Sequence, residues 1–123
     1  MLSVTKIFEF SAAHHLPYHE GKCKNVHGHG FKLEVTVDQG IDEIKSKGCE
    51  AGMIMDFSRL KETIDKKIMS ILDHTNLNDM FYNPTAEVLV EYIVVVLKSQ
   101  IPNLSRVRLY ESSTSYVEWR KYA

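Results

Sequence analysis

The chain is expected to fold as α+β: a four-stranded antiparallel sheet with two helices packed on one face. Three observations predict this. Segments of alternating apolar and polar residues lie at both ends of the chain. Two stretches with helical apolar spacing lie between them. The hydrophobic content of 44% in 123 residues is enough for a core without disulfide staples, and fits one domain spanning residues 1–123.

Each element has its own signal. Leu2, Val4, Phe8 and Phe10 alternate with mostly polar neighbours, Ile7 being the exception, and read as a first strand. "HHLPYHEGKCKN" carries Pro, Gly and Asn and reads as a loop. Phe31, Leu33, Val35 and Val37 alternate with Lys32, Glu34, Thr36 and Asp38, the pattern of a half-buried second strand. "QGIDEIKSKGCEAG" is glycine-rich and charged, a surface loop. Asp56 or Ser58 can cap a helix that carries Leu60, Ile64, Ile68 and Ile71 on one face and ends near "LDHTNLND". Asn83-Pro84-Thr85 opens a second helix with Leu89, Tyr92, Ile93, Val96 and Leu97 as its apolar stripe, and Pro102 lies beyond its end. Val107 and Leu109 mark a third strand, Val117 and Trp119 a fourth, with "ESSTS" as the hairpin loop.

Composition narrows the function. The net charge is −1 with neutral His, and no Lys/Arg run or basic segment is present, which disfavours nucleic acid as a partner. The longest apolar run, "YIVVV", is far too short to span a bilayer, and the start "MLSVTKIFEF" lacks the parts of a signal peptide. A cytoplasmic protein is expected, with Cys23 and Cys49 reduced.

Five of the six histidines fall between positions 14 and 29. Residues i and i+2 of a strand share a face. His27 and His29 have the parity of Phe31 and Leu33, and His14 continues Phe8, Phe10 and Ala12. If the strands reach that far, three imidazoles leave the core side at one mouth, while His15 points the other way. Gly28 between two of them lowers bulk and permits unusual backbone angles. Three His with an open position is the ligand set of a catalytic zinc, whereas His-Gly-His is also met in plain turns. The residues alone leave both readings open.

Cys23 sits between Lys22 and Lys24. It is open to three readings: a fourth metal ligand, a buried thiol, or a reactive thiol beside the metal, since nearby cations favour a thiolate. Cys49 has no motif around it and reads as structural or incidental. Asp73 and His74 are either solvated helix-end residues or a histidine tuned by a carboxylate. Glu111 has the parity of Val107 and Leu109 and so ends a core-facing stripe, where a carboxylate needs a partner. Arg106 and Arg108 face the other way. A ligand with paired N–H donors, such as the guanidine-like edge of a pterin or guanine, is the alternative.

The motifs "FSAAHHL", "CKNVHGH", "MDFSRLK", "LDHTNLND", "NPTAEVL" and "LYESS" follow one another as in the 6-pyruvoyl-tetrahydropterin synthase family, which the chain resembles from Phe8 to its last strand. The gap of three residues between Cys23 and His27 is that of the branch forming 6-carboxy-5,6,7,8-tetrahydropterin in queuosine (7-deazapurine) biosynthesis; the pyruvoyl-forming branch usually has five. The resemblance implies a tunnelling fold (T-fold), whose subunits join their sheets into barrels as a trimer or hexamer. It implies zinc on His14, His27 and His29, a catalytic thiol at Cys23 and a proton-transfer pair at Asp73 and His74. It also implies pterin contacts from Glu111, Thr85 and Glu87, and active sites shared between subunits, with Cys23 of one chain facing Asp73, His74 and Glu111 of another. Ala86 stands where some relatives have Thr, and His15 where Arg is common. The implied reaction turns 7,8-dihydroneopterin triphosphate into 6-carboxytetrahydropterin, acetaldehyde and triphosphate. The alternatives are a pyruvoyl-forming synthase and a non-catalytic zinc- or pterin-binding assembly module. The module would tolerate loss of Cys23 and His74, and both are present here.

Overall fold

A computed structural model describes residues 1–122. Its sheet is built on two 13-residue antiparallel strands, β1 (Leu2–His14) and β2 (His27–Gln39), in register from Leu2↔Gln39 to His14↔His27. Strand β4 (Leu104–Ser112) lies beside β2, and β5 (Ser115–Arg120) closes the far edge as a hairpin partner of β4. With a short fifth strand, β3 (Thr75–Asn76), at the other edge, the sheet order is β3-β1-β2-β4-β5. The alternation read from the sequence is kept: Phe8, Phe10, Phe31, Leu33, Val35, Val37, Val107 and Leu109 are buried, while Ile7 is exposed.

The strand count differs from the expected four. The fifth strand, β3 (Thr75–Asn76), has two residues and runs parallel to β1, opposite Ala12 and Ala13. Two residues hold no alternation, so no periodic signal could reveal them.

Both helical stretches cover the apolar face of the sheet and share one cluster of buried side chains with it. Asp56 caps α1 (Phe57–Ile64) by accepting the Ser58 N–H at 2.8 Å. The rod then passes through a π turn (Asp65–Met69) into α2 (Ser70–Leu72). That turn explains one misplaced core residue. Leu60, Ile64, Ile68 and Leu72 are buried, whereas Ile71, expected inside, is exposed. Steps of four residues drift by roughly 40° each in a regular α-helix. The wider π turn absorbs the drift, keeps the four-residue step on the core and turns Ile71 out.

Helix α3 (Ala86–Lys98) is capped by Thr85, whose hydroxyl accepts the Val88 N–H at 3.2 Å. Leu89, Ile93 and Leu97 are buried as expected. Val90 and Val94 join them, so Tyr92 and Val96 become flanking, partly buried residues. The charged loop after β2 is tied down by Glu50. Its carboxylate takes the Arg59 guanidinium and the Asp56 N–H at 2.8 Å each, with Lys45 at 3.3 Å. These partners, the Asp56 N–H first, hold Glu50 below the ordinary carboxylate range. Gly48 and Gly52 in this loop sit at φ of 82° and 80°, where a side chain would be strained. No helix is long and apolar enough to cross a membrane among the described residues.

The outer face of the sheet is polar. Arg106 and Arg108 turn to it, as their parity requires, and meet Glu118 and Glu34 there. The Arg108 guanidinium holds Glu118 below its usual range.

Candidate metal and pterin site

The register of β1 and β2 builds the site. His14 ends β1 directly opposite His27 at the start of β2, and His29 is opposite Ala12. All three imidazoles leave on the core face, with ring centroids 4.6, 5.0 and 4.7 Å apart. Phe31 and Phe10 stack beneath them at 5.0 Å and floor the site with apolar surface. Gly28 needs no unusual angles, contrary to expectation: it lies in regular pairing with Ala13, and a Cβ there would meet only the Ala12 carbonyl, at 3.9 Å.

Two of the rings are fixed by backbone carbonyls. His14 Nδ1 is 2.8 Å from the Pro84 carbonyl, and His27 Nδ1 is 2.7 Å from the Asn25 carbonyl. A carbonyl only accepts, so each Nδ1 carries the proton and the neutral ring keeps a lone pair on Nε2. The Asn-Pro-Thr turn thus does two jobs: it opens α3 and orients His14. The Nε2 atoms of His14, His27 and His29 are buried without a hydrogen-bond partner. Buried polar atoms normally have one, so three orphans pointing together call for a shared ligand. The donor set of imidazole nitrogens suits a zinc-like cation. With Glu111 they form a group whose candidate ligand atoms all lie within 4.8 Å of one another.

His15 is not in this group. Its backbone N–H donates to Asn78 Oδ1 at 2.8 Å, and Asn78 Nδ2 returns a bond to the His15 carbonyl at 3.0 Å. Burial holds the His29 imidazole below its ordinary value; the Glu111 carboxylate opposes this, and His14 and His27 reinforce it.

Glu111 lies closer to the histidines than the sequence suggested. Its Oε1 is 3.1 Å from His29 Nε2 and 3.7 Å from His14 Nε2 of its own chain. A neighbour was expected to supply this residue beside Cys23. The chain itself brings Glu111 to the histidines, because β4 delivers it at a break in pairing register between Tyr110 and Ser112.

Cys23 lies in a short 3₁₀ turn (Lys22–Lys24) of the loop that ends at the histidines. Its carbonyl accepts the Leu16 N–H at 2.7 Å, and its thiol is free and half-buried. Cys49 is free and exposed. Thr85 spends its hydroxyl on capping α3, and Glu87 is exposed on the helix's first turn.

Asp73 and His74 are on the other side of the sheet. They border a shallow groove with Glu9, Ser11, Gly30 and Lys32, residues whose parity faces outward. His74 Nδ1 is 2.9 Å from Asp73 Oδ1, and Asp73 Oδ1 also accepts the Ser11 N–H at 3.0 Å. That N–H, more than His74, holds the Asp73 carboxyl below its usual range. The His74 side chain is 81% exposed, and its backbone has φ of 59°, the left-handed region that favours glycine.

The sequence profile of the 6-pyruvoyl tetrahydropterin synthase family matches residues 3–122. The chain is 42% identical to the 6-carboxy-5,6,7,8-tetrahydropterin synthase of Synechocystis sp., covering 94% of this chain and 90% of the relative. It is 37% identical to the dihydroneopterin monophosphate aldolase of Pyrococcus furiosus, covering 89% of each. The fold is shared with the 6-pyruvoyl tetrahydropterin synthase of Caenorhabditis elegans, at a TM-score of 0.80 and 24% identity over 97% of this chain and 94% of that one.

Proposed function

The chain is an enzyme that belongs to the 6-pyruvoyl tetrahydropterin synthase family, and from that membership we propose that it is a zinc-dependent 6-carboxy-5,6,7,8-tetrahydropterin synthase. It takes 7,8-dihydroneopterin triphosphate and water to 6-carboxytetrahydropterin, acetaldehyde and triphosphate. The observation that carries the reading is the set of three orphaned Nε2 atoms converging beside Glu111. The branch is chosen by the three-residue gap between Cys23 and His27 and by the Synechocystis relative.

His14, His27 and His29 hold the metal. When bound, the metal supplies Lewis-acid stabilisation of negative charge on the substrate's side-chain oxygens. Glu111 accepts paired N–H donors from the pterin edge, and a charged acceptor discriminates in favour of such an edge. Thr85 and Glu87 border the ring at the start of α3. Cys23, half-buried in the loop leading to the histidines, removes the carbon-bound proton. His74, oriented by Asp73 Oδ1, delivers a proton to the ring.

The two faces of the sheet support a particular arrangement for this chemistry. His74 sits across the sheet from its own chain's histidines, exposed on the outer groove. A proton donor there reaches a metal site only if that site belongs to another copy. The proposal is therefore a cytoplasmic homo-oligomer, a trimer or hexamer, with each site shared between subunits. The unpaired backbone edge of β5 and the stretch of β1 before β3 offer strands for such joining.

The test is product identification from the zinc-loaded protein and 7,8-dihydroneopterin triphosphate. Acetaldehyde and 6-carboxytetrahydropterin in equal amounts are expected. A pyruvoyl product without acetaldehyde would replace this reading with the pyruvoyl-forming one.

A further inference from the structure

We propose that Glu111 is a fourth protein ligand to the metal while no pterin is bound, and that it leaves the metal when a pterin takes its carboxylate. The inference rests on the reading of His14, His27 and His29 as metal ligands. One side chain then serves two partners in turn, and the open coordination position that chemistry needs exists only once a pterin has docked.

The distances favour ligation over a chance approach. Four ligands about 2.1 Å from a tetrahedral centre stand roughly 3.4 Å apart. Glu111 Oε1 stands 3.1 Å from His29 Nε2 and 3.7 Å from His14 Nε2, on either side of that value. Neither contact has hydrogen-bond geometry, and both Nε2 atoms remain without a partner. In the neutral ring His14 Nε2 carries a lone pair, since its Nδ1–H is given to the Pro84 carbonyl at 2.8 Å. A lone pair and a carboxylate oxygen that face each other repel unless a cation lies between them. Among the described residues no Lys or Arg pairs with Glu111: Arg106 and Arg108 occupy the outer face and are engaged by Glu118 and Glu34.

The backbone gives the carboxylate room to change partners. Pairing of β2 with β4 runs no further than Lys32↔Tyr110. Pairing of β4 with β5 passes from Tyr110↔Tyr116 to Ser112↔Ser115 and leaves Glu111 unopposed. A residue in such a bulge is aimed by the bend and is freer than one in a regular ladder. Its side chain is also 27% exposed, so one oxygen can be reached from solvent while the other faces the histidines.

Cobalt(II) in place of zinc reads the ligand set through its visible absorption. The full-length protein, Glu111→Gln and Glu111→Asp are loaded with cobalt, and zinc affinity is measured by competition with a coloured chelator, all without pterin. Thermal midpoints check that the variants fold. Glu111→Gln should alter the cobalt spectrum and bind zinc at least ~10-fold more weakly, the lower end of what even an outer partner of a ligand contributes. Glu111→Asp, which keeps the charge, should recover part of the affinity. Adding an unsubstituted pterin should move the wild-type spectrum toward that of Glu111→Gln and leave the variant's unmoved. Identical spectra and zinc affinities in wild type and Glu111→Gln overturn the inference. A pterin that binds, by its fluorescence, without moving the wild-type spectrum overturns the release. A wild-type protein that takes up no cobalt refutes the histidine reading itself, and a Glu111→Gln protein that binds pterin as tightly as wild type refutes the pterin contact and with it the release.

Discussion

Two histidine sites lie on opposite faces of the same sheet, and they are built in opposite ways. On the core face His14 is fully buried, its ring is pinned by a backbone carbonyl, and a stacked pair of phenylalanines lies under the cluster. On the outer face His74 is 81% exposed, is joined to one carboxylate and stands on strained backbone. A metal site must hold ligand atoms in place before the metal arrives, so burial and regular strand register suit it. A proton donor that acts in another subunit's site must stay reachable until that subunit covers it. The first cluster is assembled within one chain, and the second is left open to solvent.

The largest expected effect is on the core face. His14→Ala removes the proposed metal-holding imidazole whose position the Pro84 carbonyl and the β1–β2 register both fix. Metal analysis of the purified protein should fall from one zinc per chain to essentially none, with turnover lost. His15→Ala, whose backbone rather than ring holds Asn78, should keep its zinc. Zinc lost from the His15 variant alone would exchange the ligand assignment.

Breaking the comparison across subunits is the next test. Cys23→Ala should keep zinc and lose ~10²–10⁴-fold in turnover, the usual worth of general-base help. His74→Ala should behave alike. Mixed under conditions of proven subunit exchange, the two inactive proteins should regain activity, because some interfaces then join an intact Cys23 to an intact His74. Retention of both defects despite exchange would place the two residues in one chain's site.

The contrast also explains what could be read from sequence. Strand parity needs only alternation, and alternation carried from Phe8 to His14 and from Val37 back to His27 puts three rings at one mouth. Helical spacing found both helices but not the π turn, whose signal is only a four-residue step where three and four should mix. The two-residue β3 was invisible, and so was the face on which Asp73 and His74 sit, because a helix end has no periodicity to project. Glu111 was placed on the core side, yet its contact with His29 depends on a bulge, which shifts a side chain by one residue without altering the apolar pattern.

A smaller effect is expected from the strain at His74. A non-glycine residue in the left-handed region costs about 1–2 kcal/mol, and glycine gives back about 0.5–1 kcal/mol through unfolded-state entropy. His74→Gly should therefore fold as stably as the wild type or slightly more so, while turnover disappears. A clear fall in thermal midpoint would mean that the His74 side chain, not its φ of 59°, is what the fold uses.

The smallest effect is a pH dependence of stability at Asp73. The Ser11 N–H, at 3.0 Å, lowers the pKa of the Asp73 carboxyl, and His74 adds to the shift. A carboxyl lowered in the folded state stabilises the fold above its unfolded value, about 3.9, and loses that contribution as pH falls through the lowered value. Asp73→Asn keeps an oxygen for the Ser11 N–H but has no charge to titrate. The wild type should therefore melt a little higher than Asp73→Asn near neutral pH. The gap should close as pH falls below about 4. It should also shrink in salt, since the site is half-open to water. Thermal midpoints of both proteins from neutral pH to pH 3 test this. A gap that persists unchanged into acid would mean the aspartate acts by shape and not by charge. The outer-face histidine would then have lost the one partner that fits it to move a proton.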